Sequence, residues 1–146
     1  MSTTQERFIE DLATGMTAAI AKTITEADIV LFAAVSTDIN PVHLDEEFAA
    51  QTIFGGRIAH GMLSASIISA VLANKLPGPG AIYMSQTMRF VAPVRIGDTV
   101  TARVTVKDVL TEKKRVVLET VCSVRGKPVV EGEATVMFPS RSGQKK

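Results

Sequence analysis

Apolar residues recur along this chain at two different spacings, and the change falls at Pro77-Gly78-Pro79-Gly80. After this breaker cluster the period is two, the signature of strands. In residues 81–90, Ile82, Met84, Met88 and Phe90 share a face; in residues 99–110, Val100, Ala102, Val104 and Val106 do. Residues 115–125 alternate Val116, Leu118, Cys122 and Val124 with Val117, Glu119, Val121 and Ser123, and residues 129–138 repeat the pattern with Val130, Ala134, Val136 and Phe138. Ile96-Gly97-Asp98, Thr111 to Lys114 and Arg125-Gly126-Lys127-Pro128 supply the turns. Such short connections predict an antiparallel meander, because parallel pairing needs crossovers of a dozen residues or more.

Before the breaker the period is helical. Residues 58–74 contain no Asp, Glu, Lys or Arg, and Ile58, Met62, Leu63, Ile67, Ile68, Val71 and Leu72 are spread round the helical wheel. A helix apolar on all sides is expected to be buried on all sides. It is not a membrane span: a span needs roughly 20 predominantly apolar residues, and this run of 17 carries His60, Ser64, Ser66 and Ser69. The fold class expected is therefore α+β, one curved antiparallel sheet around one central helix.

Upstream, residues 16–24 mix β-branched and small residues and read as a first strand. Thr25 with Asp28 three residues on resembles a capping box, so a short amphipathic helix is expected over residues 26–35, with Ile29, Phe32, Ala33 and Ser36 on one face. Asp45 can cap another short helix over residues 46–52, ended by Gly55-Gly56 and anchored by Phe48 and Phe54. Residues 1–12 and 140–146 are polar and read as flexible ends of a single domain.

Between the two short helices Asp38, Asn40, Pro41, His43 and Asp45 crowd into eight residues. Proline disfavours the α region for its predecessor, so Asn40-Pro41 is expected to form a rigid turn flanked by Asp38 and His43. These two are candidates for a general acid/base pair on one water, since histidine titrates near neutral pH and a carboxylate can orient it. The alternative is a solvated turn without chemistry. Gly61 is the second candidate: at the start of the uncharged helix its N–H is an unpaired first-turn donor at the positive end of the dipole, suited to a polarised carbonyl. The alternative is that Gly61 only permits close packing. His60 reads as a packed, hydrogen-bonded ring, and Ser64, Ser66 and Ser69 as pocket hydroxyls or as serines bonded back to the helix.

Composition narrows the field. A net charge of +1 and 46 % hydrophobic residues give no general case for nucleic acid. Cys122 is the sole cysteine, so neither a disulfide framework nor a multi-cysteine metal site exists, and a buried inert thiol is expected. His43 and His60, 17 residues apart among scattered carboxylates, match no tight metal spacing. G-x-S-x-G, G-x-G-x-x-G and the P-loop lysine motif are absent. The charged start MSTTQERFIEDL lacks a secretory apolar segment, which points to the cytoplasm.

STDINPVHLD, followed by FGGRIAHGML, resembles the signature of the MaoC-like, or hydratase 2, branch of the hot-dog superfamily. The likeness runs from the first strand to Phe138 and is strongest towards stand-alone (R)-specific enoyl-CoA hydratases. The D-x-N-P-x-H element is specific, whereas the fold alone hosts thioesterases and other functions. The resemblance implies that Asp38 and His43 hold the reacting water, that Gly61 N–H binds the thioester oxygen, that Asn40 shapes the loop and that Ser69 lines or supports the pocket. Thr37 departs from the pattern, standing where many members have glycine. The resemblance also implies an acyl-CoA substrate, no cofactor, no metal, and a homodimer in which a second copy completes each pocket. Two alternatives remain: a 3-hydroxyacyl dehydratase acting on acyl-carrier-protein thioesters, and a non-catalytic acyl-binding hot-dog module.

Overall fold

The structure is a computed structural model that describes residues 6–143. Five strands form one antiparallel sheet: β1 (Thr17–Thr23), β2 (Ile82–Phe90), β3 (Thr99–Leu110), β4 (Arg115–Val124) and β5 (Lys127–Met137), in the order β1-β3-β4-β5-β2. Only β3, β4 and β5 form the expected meander. β2 lies at the far edge beside β5 rather than beside β3, so residues 91–98 must cross from one part of the sheet to another. That crossing passes the start of the central helix, where the Ala59 N–H donates to the Val94 carbonyl at 2.7 Å.

The meander strands follow their alternation closely. Val100, Ala102, Val104 and Val106 of β3, Val116, Leu118 and Cys122 of β4, and Ala134 and Val136 of β5 are buried on one face. Thr120 shares this face; its hydroxyl accepts from Gln86 Nε2 at 2.8 Å, which satisfies a polar atom that burial alone would penalise. Register shifts at Val106/Asp108, Tyr83/Ser85 and Cys122/Ser123 add local twist and help the sheet to curl.

Four helices fill the concave side and its rim: α1 (Glu26–Ser36), α2 (Pro41–Leu44), α3 (Glu46–Ala50) and α4 (Gly61–Asn74). In α4, Leu63, Ile67, Ile68, Val71 and Leu72 join the core, against β1, β3 and β4. The helix is not buried all round in the single chain, however. Met62, Ser66, Ser69 and Ala73 fall at helical spacing on an exposed stripe, and Met62 is 52 % exposed. Edge strand β2 is exposed in the same way, with Ile82 at 56 % and Phe90 at 54 %.

The described parts of the two ends are not free. Phe8, Ile9 and Leu12 are buried, and the Ile9 N–H donates to the Pro139 carbonyl at 2.8 Å. Ser140 bonds Glu10, and Arg141 pairs with Asp11 at 2.9 Å while lying 4.8 Å over the Phe8 ring. Ile9 and Leu12 are only a few apolar residues in a polar stretch, but they meet Phe138 at the end of β5 and close the core.

Gly132 marks the tightest approach in the sheet. It pairs with Met88 of β2, and a Cβ at this position would collide with the Thr87 carbonyl oxygen. Gly132→Ala must therefore push β2 from β5, an overpacking cost of about 1–3 kcal/mol. A thermal melt should show a transition lowered by several degrees. An unchanged midpoint would mean that the β2–β5 approach is looser than described.

Candidate active site

The thirty-odd residues between β1 and α4 are built to hold one loop. Thr25 caps α1, its hydroxyl accepting from the Asp28 N–H at 3.1 Å while the Asp28 carboxylate accepts from the Thr25 N–H at 2.9 Å. The helix ends at Thr37, whose φ of 64° lies in the left-handed region that favours glycine. A glycine would enter this turn without strain; Thr37 adopts it with its hydroxyl donating to the Ser36 carbonyl at 2.6 Å. The turn delivers Asp38, whose N–H is held by Ser36 Oγ at 3.1 Å.

The stretch after Asp38 is more regular than a rigid turn. Pro41 opens α2 rather than merely bending the chain, because its fixed φ and missing N–H suit the first helical position. Asn40 caps it, its side-chain oxygen accepting from the Val42 N–H at 3.2 Å, so Asn40 does shape the loop. His43 consequently sits on a short helix with Asp38 just outside it. Asp45 then caps α3, accepting from the Phe48 N–H at 3.2 Å. Phe48 is 49 % exposed and anchors nothing; Phe54 instead lines the cavity.

His43 is fastened to the strand-like segment before α4. Its Nδ1–H donates to the Ile58 carbonyl at 2.8 Å, the Ile58 N–H donates to the Val42 carbonyl at 3.2 Å, and Arg57 Nε donates to the His43 carbonyl at 2.7 Å. Arg57 also grips Glu26 of α1 through both terminal nitrogens, at 2.8 and 2.9 Å. Since a carbonyl can only accept, Nδ1 carries the proton and Nε2 of the neutral ring is bare. Burial holds the His43 pKa below its ordinary value, outweighing the hydrogen bond to Ile58; the nearby His60 lowers it further and Asp38 opposes this.

His60 completes the cluster. It is 1 % exposed, its Nε2–H donates to the Asp38 main-chain carbonyl at 2.9 Å, and its ring stacks on His43 with centroids 3.8 Å apart. Asp38, His43 and His60 each place a ligand-type atom within 4.8 Å of the others. Such a trio invites a metal reading, yet an ion bound by two imidazoles lies in the plane of each ring, which face-to-face stacking opposes. The donor geometry suits a shared water better than a shared ion.

Gly61 is the first residue of α4. The Leu63 N–H donates to the His60 carbonyl at 3.0 Å, whereas the Gly61 N–H has no acceptor among the described residues. The Phe90 ring lies so close that a Cβ on Gly61 would stand 2.6 Å from two of its carbons, so close packing requires the glycine, and its unpaired N–H leaves the donor reading compatible with that packing. Asp38, His43, His60, Gly61, Phe54 and Phe90 border one cavity of about 380 Å³, closed on the other side by residues 91–94 and by Val129 and Val130. The crossing segment was not singled out in the sequence because it belongs to no periodic element. Its signal was only the Pro93 break after the last apolar strand residue.

Ser69 is not in this cavity. It lies two turns further along α4, on the exposed stripe, and borders a separate cavity of about 100 Å³ with Leu72, Ala73, Ala81, Tyr83 and Val136. Ser66 bonds back to the Leu63 carbonyl at 2.6 Å, as serines in helices do. Ser64 is the serine that reaches the cavity wall, and its buried hydroxyl has no partner among the described residues. Cys122 is buried, its thiol pushed up to about 12 by desolvation and directed at the Ser64 carbonyl, so it is an inert core group.

Residues 9–131 match the MaoC like domain family. The chain is 60 % identical over 134 residues to the (R)-specific enoyl-CoA hydratase of Rhodospirillum rubrum, covering 92 % of this chain and 93 % of that protein. Among solved structures, the R-hydratase PhaJ1 of Pseudomonas aeruginosa superposes with a TM-score of 0.86 at 48 % identity, covering 92 % of this chain and 86 % of the other. The (R)-hydratase of Aeromonas caviae involved in PHA biosynthesis also gives 0.86, at 43 % identity, with 89 % and 99 % covered. With that sequence match spanning most of its length and a hot-dog sheet wrapped around α4, the chain belongs to the MaoC-like family.

Proposed function

We propose that the cavity runs the reaction named for these relatives: the protein is an (R)-specific enoyl-CoA hydratase, a hydro-lyase that reversibly adds water to a trans-2-enoyl-CoA. The observation that carries the mechanism is the approach of the Asp38 carboxylate to within 4.8 Å of a His43 ring nitrogen, a gap that one hydrogen-bonded water spans. One water oxygen bonds to C3 as its proton passes to this pair; the pair returns a proton to C2, and the C2–C3 double bond becomes single. The enzyme ends in the protonation state in which it began. Delivery of both groups from one side makes the addition syn, and when the water approaches the C3 face that leads to it, the product is the (R)-3-hydroxyacyl thioester.

Negative charge moves onto the thioester oxygen during the addition. Gly61 N–H, unpaired and at the positive end of α4, is the group placed to stabilise it. No metal or cofactor is called for in this scheme, because the thioester carbonyl already acidifies C2 and activates C3.

The exposed apolar surface supports reading the protein as a homodimer. β2 has one unpaired edge; its Ile82, Met84 and Phe90 are each about half exposed, and Phe90 and the exposed Met62 of α4 border the same cavity. A second copy joined there would cover the apolar edge and close the cavity wall formed by Phe90. No helix among the described residues is long and apolar enough to cross a membrane. The reduced, buried Cys122 suits a cytoplasmic setting.

The test follows the conjugated enoyl-thioester absorbance of crotonyl-CoA and of a medium-chain trans-2-enoyl-CoA, with the product's configuration read by a stereospecific dehydrogenase. Rapid loss with an (R) product is expected. Asp38→Asn and His43→Ala should each lower kcat by roughly 100-fold or more in a protein that melts normally. Turnover confined to carrier-protein thioesters would contradict the CoA assignment, and near-normal rates in either folded variant would contradict the roles of the pair.

The lowered pKa of His43 also sets the pH profile. His43 acts as a base only when neutral, so kcat/KM should fall as pH drops through its pKa, with the acid limb below the ordinary histidine range. A limb at or above that range would show that burial does not govern the base.

A further inference from the structure

His60 is a titratable side chain buried in the cavity wall, 1 % exposed, and the reaction as described gives it no proton to carry. Its contacts are nevertheless divided between the two groups that do the chemistry. Nε2–H is committed to the Asp38 carbonyl at 2.9 Å, one ring face covers His43 at a centroid distance of 3.8 Å, and Phe32 of α1 packs against it at 4.8 Å with a tilt of 56°. A direct acid/base role does not fit this arrangement. The Nε2 proton is spent on a main-chain oxygen that can only accept, and Nδ1 is sealed from solvent without a partner among the described residues.

The position of His60 in the chain makes these contacts matter. It is the N-cap of α4, so it is rigidly joined to Gly61, and its carbonyl takes the N–H groups of Leu63 and Ser64. Asp38 has few other restraints: it is exposed, beyond a left-handed Thr37, and its side chain otherwise accepts only the Asn40 N–H at 3.2 Å.

We propose that His60 is a positioning residue that fixes Asp38 and His43 relative to the Gly61 donor, by holding the Asp38 main chain with Nε2–H and the His43 imidazole with its ring face. The proposal rests on the Asp38 and His43 reading given above. The titratable and charged groups that face this pair are few: Asp38 from the turn after α1, His43 from α2, His60 from α4, and the Arg57 guanidinium, which is neutralised by Glu26. Removing His60 takes away a neighbour that opposes charge on His43, so the acid limb should move up in pH.

Two substitutions separate positioning from packing. His60→Phe keeps a stacking ring but deletes the donor; His60→Gln places an amide N–H near the Nε2 position but deletes the ring. Steady-state rates, pH profiles and melting temperatures of both, beside His43→Ala, form the test. His60→Phe should lower kcat roughly 10- to 100-fold, the scale on which misplacement of about 1 Å acts, with KM changed little. His60→Gln should recover part of that loss, and in both variants the acid limb should rise. Wild-type kcat with an unmoved limb in His60→Phe would overturn the proposal. So would equal losses in both variants that merely track a lowered melting temperature. A fully active His43→Ala would instead overturn the reaction reading on which this one stands.

Discussion

Helix α4 starts inside the protein, and that single constraint organises the rest. The first N–H groups of a helix have no partner within it, and a buried start must find partners or keep them for a ligand. Here Leu63 and Ser64 are satisfied by the His60 carbonyl, while Gly61 faces a cavity. An uncharged helix can be wrapped by a curled sheet at little desolvation cost, and it then delivers one oriented dipole end to the cavity. The strand sheet supplies the wall; the helix supplies the field.

The polar loop is tied to this helix start rather than to the sheet. Ile58, His60 and Arg57, all just before α4, bind His43 through its ring and carbonyl, the Asp38 carbonyl, and Glu26 of α1. Asp38, His43 and the Gly61 N–H are therefore parts of one assembly with short lever arms. Burial of His43 keeps it in its neutral form, and the Ile58 carbonyl fixes which nitrogen is bare. In this way a fold element chosen for packing sets both the geometry and the protonation state of His43.

Much of this was legible in the sequence. The alternation in β3, β4 and β5, the capping box of Thr25 and Asp28, and the uncharged run of α4 each report local physics, and each appears where expected. What was not legible depends on long-range placement. The exchange of β2 to the far edge leaves no mark on its own alternation, so the crossing segment at residues 91–94 was missed as a cavity wall. Pro41 was read for the turn it forces on Asn40, although the same fixed φ also starts a helix. The exposed stripe of Met62, Ser66, Ser69 and Ala73 carries no charge to mark it as exposed, and Ser69 falls on it, outside the cavity bordered by Asp38 and His43. The polarity of the ends hides their docking, in which the few apolar residues Phe8, Ile9 and Leu12 are buried and the chain ends pair with each other.

The central claim is that Asp38 and His43 act together on one water. The most direct measurement is a double-substitution cycle: kcat/KM on crotonyl-CoA for Asp38→Asn, His43→Ala and the two combined, in folded protein at one pH. If the pair works as a unit, losing either member already forfeits the water, and the double variant should be hardly worse than the poorer single one. Losses that multiply, each independent of the other, would contradict a shared water and separate the two residues into different steps.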